Sequence, residues 1–415
     1  MLRHQLFVKD KQFSSSYKIW SPKAAEKESS MEYPLVKACI DLDAIQKNIQ
    51  NLKQITNKKS KFMAVIKADA YGHGAVQIAK AAVKQGVEWL GVARFNEAEQ
   101  IRKETIKIPI LVLGYTHPSQ AAMINDLDLV TTVYDLKMAK ALSNKAKSLN
   151  RPVKVHLKID TGMGRVGMII RNNKAEKTVN QKVVKEIEKI LKLPGIEING
   201  IYTHFAAADH EDKAYTNSQI ELFTSLLDDL KKKGIEFKIC HAANSAGIIE
   251  FPGSHFDMVR AGISIYGLYP SCEVDRSKVK LVPAMKLVSV VPSVRKVSKG
   301  FNVSYGMTHT TRNVTKLASV PVGYGDGFSR QFSSNCFMLV KGCRVPVVGR
   351  VCMDQTMIDV GDISNINIGD EVVLIGSQGN ETIGADELGA RINTINYEIV
   401  SGLTSRVERI YSDYI

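Results

Sequence analysis

Short apolar runs rich in β-branched residues alternate with longer polar stretches of helical period from residue 60 to residue 268. The runs are Phe62–Ile66, Trp89–Ala93, Ile108–Leu113, Leu129–Val133, Val153–Ile159, Ile198–Thr203, Phe237–Cys240 and Met258–Ile265. Between them lie helical pieces such as Val76–Val83, Leu136–Leu149, Val179–Leu191 and Ser218–Leu230. In the last of these, Ile220, Phe223, Leu227 and Leu230 recur on one face. Eight β-then-α units in succession predict an α/β fold, a (β/α)8 TIM-type barrel over 60–268. The rival is an open doubly wound sheet, and the count of units favours closure.

The pattern changes on either side of this stretch. Residues 269–283 are charged and flanked by Pro270 and Pro283, which reads as a linker. Over 284–415 helical periods nearly vanish. Met285–Val294, Leu317–Val322, Val345–Val348, Met357–Val360 and Glu371–Ile375 read as strands, with Val288, Val290 and Val294 sharing one face. Gly-Asp pairs at 325, 361 and 369 read as turns, so this part is expected to be a β-rich C-terminal domain. Ahead of the barrel, 35–59 offers an extra strand, Val36–Leu42, and a helix from Ala44 to Ile55; the strand can pair in either domain. Residues 1–34 hold scattered serines and basic residues. They lack the apolar centre of a secretory signal, and Asp10, Glu26 and Glu28 argue against a transit peptide, so they read as a mobile tail.

Composition narrows the class. Of 415 residues, 56 are Lys or Arg and 42 Asp or Glu, a net charge of +14. The lysines are spread along helical stretches rather than clustered with aromatics, so solvated helix faces explain them better than nucleic-acid binding. Six cysteines without a C-x-x-C pair make a disulfide scaffold or a zinc ribbon a poor fit and point to a reducing cytosol; no metal site is expected. No apolar run reaches the ~18 residues of a spanning helix.

Barrels place reactive groups where strands end. Those ends carry Lys67, Lys158, Asp160, Arg165, His204, His241, Asn244, Ser245, Arg260, Gly262 and Ile263. Lys67 continues the apolar run Met63-Ala64-Val65-Ile66. Burial there favours the neutral amine that a carbonyl-trapping nucleophile must present, although a lysine snorkelling from the rim has the same pattern. Asn244-Ser245-Ala246-Gly247 and Ala261-Gly262-Ile263, after the last two strands, suit a phosphate site; helix capping by Ser245 is the alternative. Together a lysine and an anion site suggest a phosphorylated carbonyl coenzyme, pyridoxal phosphate, with Arg260 facing its ring nitrogen. Gly162-Met163-Gly164-Arg165-Val166-Gly167 spells G-x-G-x-x-G, but it follows the fifth strand and opens no clear helix, so dinucleotide binding is a weak reading.

With these residues in place, the chain resembles the alanine racemase family, the barrel-type amino-acid racemases that use pyridoxal phosphate. The resemblance runs from about Val36 to Tyr411. It rests on the lysine motif Val65–Gly74, on Lys158-Ile159-Asp160-Thr161-Gly162-Met163-Gly164-Arg165, Tyr202-Thr203-His204-Phe205, His241-Ala242-Ala243-Asn244-Ser245 and Arg260-Ala261-Gly262-Ile263. Three C-terminal motifs extend it: Val303-Ser304-Tyr305-Gly306, Gly349–Gln355 and Ile395-Asn396-Tyr397-Glu398. It implies a homodimer with shared active sites that interconverts L- and D-alanine in the cytosol, feeding peptidoglycan in a bacterial host. Lys67 would bind the coenzyme and act as one base. Tyr71, Ser245, Gly262, Ile263 and Tyr397 would hold the phosphate, with Asn244 and His204 beside the coenzyme. Arg165 would meet the coenzyme's phenolic oxygen and the substrate carboxylate, and Lys158 resembles a lysine often carbamylated to orient that arginine. Tyr305 of the partner would be the second base and the Met353 amide of the partner a substrate contact. Asp209, Tyr324, Arg330, Arg350 and Ile395 resemble residues of the access corridor. A tyrosine with a reference pKa of ~10 needs cationic neighbours to serve as a base, and His204 and Arg260 are the candidates. A serine or broader-specificity racemase, a related decarboxylase and a coenzyme-binding homeostasis protein share parts of the plan. An arginine rather than a carboxylate at 260 argues against the decarboxylase, and residues 284–415 argue against the homeostasis protein. Ala242 and Gly325 stand where many relatives carry cysteine and alanine.

Overall fold

A computed structural model describes residues 35–149, 151–170 and 178–412; the N-terminal stretch read as a mobile tail lies outside the described residues. The chain enters on β1 (Val36–Asp41), whose inward residues Val36, Ala38 and Ile40 are buried, and turns directly into the helix Leu42–Ile55, capped by the Asp41 carboxylate on the Ala44 amide (2.8 Å). Eight parallel strands follow: β2 (Lys61–Val65), β3 (Trp89–Val92), β4 (Ile110–Val112), β5 (Leu129–Val133), β6 (Val153–Asp160), then β8 (Ile196–Tyr202), β9 (Ile239–His241) and β10 (Met258–Ala261). A two-residue strand β7 (Met168–Ile169) hangs on the end of β6. β10 pairs with β2 and β5 with β6, so the sheet closes on itself. This is the closed barrel, not the open sheet. The strands read as unbroken apolar runs because both of their faces are covered, by the helices outside and by side chains inside.

The helix Ala214–Lys232 buries Thr216, Gln219, Phe223, Leu226 and Leu230, with Ile220 and Leu227 only half-buried. The buried stripe is therefore turned slightly from the expected one and takes in two polar side chains. Gln219 has work there: its Oε1 accepts from the Ala206 amide (2.9 Å) and its Nε2 donates to Thr161 Oγ1 (3.1 Å), tying together the loops after β8 and β6.

The C-terminal part is built from β11 (Met285–Val290), β12 (Ser293–Val297), β13 (Asn302–Val303), β14 (His309–Thr310), β15 (Thr315–Val320), β16 (Phe337–Val340), β17 (Cys343–Pro346), β18 (Thr356–Asp359), β19 (Glu371–Gln378), β20 (Glu381–Ile383) and β21 (Glu408–Ser412). The main sheet runs β17-β16-β19-β11-β1-β21, and a smaller one β12-β15-β18. β1 therefore lies between β11, antiparallel, and β21, parallel, inside the C-terminal sheet. Two expectations are corrected. Met285–Val294 is not one strand: it breaks at Val291-Pro292, where proline has no N–H for a ladder, and β11 and β12 go to different sheets, so Val288 and Val294 share no face. Helices do occur beyond residue 284, as the short pieces Ala385–Arg391 and Asn396–Ser401. Residues 269–283 have turns only, yet Val274, Val279 and Leu281 are buried, so the segment is packed down.

Candidate active site

The first barrel strand ends at Val65, and the chain then does something costly. Ala68, Asp69, Ala70 and Tyr71 all adopt φ near +52°, a left-handed turn of four residues that each carry a Cβ. The turn carries Lys67 at its start and Tyr71 at its end. Gly72, at φ +83°, closes it: a Cβ there would sit 2.1 Å from the Val400 carbonyl oxygen, so the turn presses against the helix Asn396–Ser401. That contact brings the Tyr71 and Tyr397 rings within 6.0 Å, while Tyr266 packs on Tyr71 from another side at 5.0 Å. His73 is buried beneath, its Nδ1 facing the carbonyls of Tyr71 (3.0 Å) and Ala70 (3.2 Å). That nitrogen must carry the proton, and burial lowers the His73 pKa to about 4, so the ring is neutral.

Tyr71 Oη, Ser245 Oγ and the Gly262 amide converge. Gly262 N–H donates to Ser245 Oγ at 2.9 Å, and a Cβ on Gly262 would lie 2.7 Å from Tyr71 Oη. Ile263 is buried next to them, and Ser245 Oγ also takes a longer bond from the Ser264 amide (3.4 Å). Burial pushes both the Tyr71 and Tyr397 phenols up, so they remain protonated donors; for Tyr397 the neighbouring Tyr71 and the Asp209 carboxylate add to the rise. The cap of the helix Ser245–Glu250 is not Ser245, as one reading of the sequence had it. Asn244 takes that role, its Oδ1 accepting from the Gly247 amide at 2.9 Å. Ser245 is thereby left facing the cradle.

Two residues before Gly262, on the strand that pairs with β2, Arg260 is buried, and among the described residues it has no carboxylate partner. Its Nη1 donates to His241 Nδ1 (2.9 Å); its Nη2 meets the carbonyls of Thr203 and Ala242 (2.8 Å each) and His204 Nδ1 (3.1 Å). A guanidinium cannot accept, so both imidazoles offer lone pairs to it and carry their protons on Nε2. His241 Nε2 in turn meets His156 Nδ1 at 2.9 Å. Burial lowers the Arg260 pKa to about 10, which still leaves it charged at neutrality. Burial and then the Arg260 charge hold His204 and His241 well below the usual imidazole range. His204 is thus neutral, and the expectation that it adds positive charge is corrected: the cation here is Arg260.

Lys67 is half-buried, and burial, reinforced by Arg165, lowers its pKa. Lys158, at the end of β6, is buried outright. Among the described residues its Nζ has no hydrogen-bond partner; it lies 4.6 Å above the Tyr202 ring, and burial followed by the Arg260 and Arg165 charges depresses it far more. Arg165 is exposed on the loop after β6. That loop is the G-x-G-x-x-G segment; Asp160 fixes it by accepting from the Gly162 (2.8 Å) and Gly164 amides, and it leads into β7 rather than a helix, which removes the dinucleotide reading.

Tyr305 and Met353 are elsewhere, on the surface of the β-rich part, 72% and 52% exposed. Ser304, beside Tyr305, donates to the Arg350 carbonyl (2.6 Å). The exposed Tyr324 donates its amide to Cys352 O (3.1 Å), so Tyr305, Arg350, Met353 and Tyr324 are neighbours on one outer face. Ile395, exposed, flanks the Tyr397 helix; Asp209 acts on Tyr397; Arg330 is exposed in its own turn. Sequence reading gave Tyr202 no role beyond its place in a motif and passed over His156. The Tyr202 ring stacks flat on His241 (4.6 Å, 6°) beneath Arg260, and its hydroxyl bonds Thr132 Oγ1 (2.9 Å). Both look like ordinary strand residues, and only their closeness to the motif histidines hinted otherwise.

The residues present fit pyridoxal phosphate: a lysine biased to its neutral amine, a donor cradle that a Cβ at 262 would fill, and an arginine with spare N–H groups. A closed barrel with this mouth, joined to a β-rich part, defines a barrel-type pyridoxal phosphate enzyme of amino-acid metabolism. Comparisons carry this further. Residues 40–270 match the alanine racemase N-terminal domain and residues 284–411 the alanine racemase C-terminal domain. An alanine racemase of Desulfosudis oleivorans is 50% identical over 373 residues, 90% of this chain and 95% of that protein; one of Methanococcus maripaludis is 46% identical over 372 residues, 90% and 97% of the two chains. Among solved structures, alanine racemase of Clostridium difficile 630 superposes with a TM-score of 0.85 at 39% identity, covering 92% of this chain and 97% of that one. That of Bacillus anthracis with bound L-Ala-P gives 0.84 at 37%, covering 92% and 95%. The chain belongs to the alanine racemase family.

Proposed function

We propose that the protein interconverts L- and D-alanine with pyridoxal phosphate by a two-base mechanism, as a homodimer in the cytosol, supplying D-alanine for peptidoglycan where the host is bacterial. The observation that carries the reading is Arg260: buried, charged, held by neutral acceptors and set at the mouth with Lys67. When bound, the coenzyme supplies a conjugated electron-withdrawing ring that acidifies the Cα–H of an amino acid. The chain's own residues do the rest. Lys67 anchors the coenzyme and takes or returns a proton on one face of the substrate. The hydroxyls of Tyr71, Ser245 and Tyr397 would hold the phosphate by donated hydrogen bonds, with Gly262 letting the backbone come close and its amide steadying Ser245 Oγ. Arg260 keeps its proton, so it would leave a ring nitrogen beside it unprotonated and the electron sink weak, which would favour reprotonation over side reactions.

Two bases on opposite faces spare one base from swinging across the ring. Tyr305 is the second, supplied by another copy of the chain. Support comes from its 72% exposure and from the company of Met307, Met353 and Tyr324 on the same outer surface, at 64%, 52% and 43%. A surface of large apolar side chains is what an interface covers. Neutral His204, with its proton on Nε2, is available as a donor toward that tyrosine, and Arg260, bonded to His204, is the nearby cation. Lys158 deepens the arrangement. Its amine, buried, without a hydrogen-bond partner among the described residues and shifted toward the neutral form, suits addition to CO2, forming an N–C bond and releasing one proton, and the resulting carbamate is an anion able to orient Arg165. Among the described residues no helix is long and apolar enough to cross a membrane.

The test follows α-hydrogen exchange of L- and D-alanine in deuterated water, with serine, lysine and arginine as comparison substrates. Exchange with alanine leading is expected; coenzyme binding without exchange refutes the enzyme reading. Mixing Lys67→Ala and Tyr305→Phe chains tests sharing of the site: one intact site per mixed dimer restores activity, and no recovery places Tyr305 in its own chain's site.

A further inference from the structure

We propose that Glu97 is a positioning residue for the coenzyme lysine: its carboxylate clamps the Ala68 amide and holds the left-handed turn that aims Lys67 into the barrel mouth. The inference rests on the reading of Lys67 as the coenzyme's anchor, but the clamp itself can be tested without it.

Four successive left-handed residues with side chains do not persist unaided. Within the turn, the Ala70 amide donates to Ile66 O (2.9 Å), Gly72 to Ala68 O (3.0 Å) and Gly74 to Asp69 O (2.9 Å). Asp69 Oδ1 accepts from the Ala75 amide (2.8 Å), starting the helix Ala75–Lys84, and Arg409 Nε donates to Gly72 O (3.0 Å). The Ala70 bond closes the turn back onto Ile66, and the others hold its far end. Its near end, the first left-handed residue after Lys67, is held from outside: the Ala68 amide donates to Glu97 Oε1 at 2.7 Å. Glu97 Oε2 accepts from the amides of Ala93 (2.7 Å) and Arg94 (2.9 Å), just past the end of β3. One carboxylate with three N–H donors thus bridges the mouth ends of the first two barrel strands, and an ionised carboxylate is the side chain able to accept all three.

The same carboxylate is a counter-charge. Facing Lys67 are Arg165 from the loop after β6, His204 from the end of β8, the Tyr71 ring 5.9 Å from Nζ, and Glu97 from the helix Phe95–Lys103. Arg165 disfavours the protonated amine and Glu97 favours it. Removing the Glu97 charge therefore moves the titration of Lys67 downward.

The first measurement needs no substitution: amide hydrogen exchange of the full-length protein, read at Ala68. Protection comparable to barrel-strand amides is expected; exchange at the free-chain rate overturns the clamp. The second uses Glu97→Gln, whose amide group turns N–H toward donors and cannot accept from all three. Ala68 should lose protection, and coenzyme release should quicken about tenfold or more. The pH midpoint of the coenzyme's visible absorption on Lys67 should fall. If Glu97 only caps its own helix, the melting temperature falls while Ala68 exchange and the absorption midpoint match the parent, and the proposal is wrong. Should the variant not fold, exchange in the parent decides. A protein with no visible band but a protected Ala68 would overturn the coenzyme reading and leave the clamp standing.

Discussion

Replacing Gly262 by alanine tests the phosphate cradle by adding one methyl group. The new Cβ would meet Tyr71 Oη at 2.7 Å and Ser245 Oγ at 3.8 Å. A Cβ tolerates about 3.4 Å or more from a neighbouring oxygen, so something must give. Tyr71 is poorly placed to yield: its ring is wedged between Tyr266 at 5.0 Å and Tyr397 at 6.0 Å, and it closes a left-handed turn pressed on the Val400 carbonyl. Overpacking at such a site costs ~1–3 kcal/mol. Taken out of coenzyme binding, that weakens affinity roughly 5- to 150-fold. The assay is a titration of coenzyme-free protein with pyridoxal phosphate followed by absorbance, beside a thermal melt. Gly253→Ala is the control, because a Cβ there meets nothing within 4 Å. Equal affinity in Gly262→Ala, Gly253→Ala and the parent would refute the idea that the 262 amide and the Tyr71 hydroxyl enclose one ligand group.

Two further predictions follow from buried charges. Arg260→Glu sets a carboxylate against the Thr203 and Ala242 carbonyls, so a denaturant melt should show a loss of about 3–5 kcal/mol. Pyruvate from transamination should rise relative to racemised product; an unchanged ratio would refute the role of the arginine in weakening the electron sink. Acid should destabilise the fold through His73. Its folded pKa of about 4 lies below the unfolded ~6.5, so the unfolded chain binds the proton first. The stability is present above pH ~6.5 and drains away as pH falls toward 4, amounting to roughly 3 kcal/mol when complete. Melts at stepped pH should show a shallower slope in His73→Gln than in the parent.

The barrel was legible because its strands are covered on both faces and so read as continuous apolar runs, and because eight of them alternate with helical periods. The site was legible where reactive residues stand at strand ends: Lys67, Ser245 and Arg260 fall where the count of strands puts them. Other features left no mark. The helices Ala385–Arg391 and Asn396–Ser401 are less than two turns long, too short for a 3.6-residue period to show. Nothing in Ala68-Asp69-Ala70-Tyr71 announces a left-handed turn, since alanine favours the right-handed helix; tertiary bonds impose it. The neutrality of His204 comes from its burial and from a guanidinium 56 residues along the chain, neither visible in the local sequence. Asn244 and Ser245 are equally good caps in isolation, and only the bond from Gly262 shows which is spared.

The place of β1 bears on how the protein is made. Its two neighbours, β11 (Met285–Val290) and β21 (Glu408–Ser412), both follow the whole barrel along the chain. The barrel's own strands can associate as they emerge, but Val36–Asp41 gains its first neighbour only when β11 follows the barrel out, and its second only with β21. A nascent chain stalled before residue 408 would leave one edge of β1 as an unsatisfied ladder of backbone groups, and a fragment beginning at 284 would lack the strand that joins β11 to β21. Splitting the two family domains for separate expression should therefore carry Val36–Asp41 with the C-terminal piece.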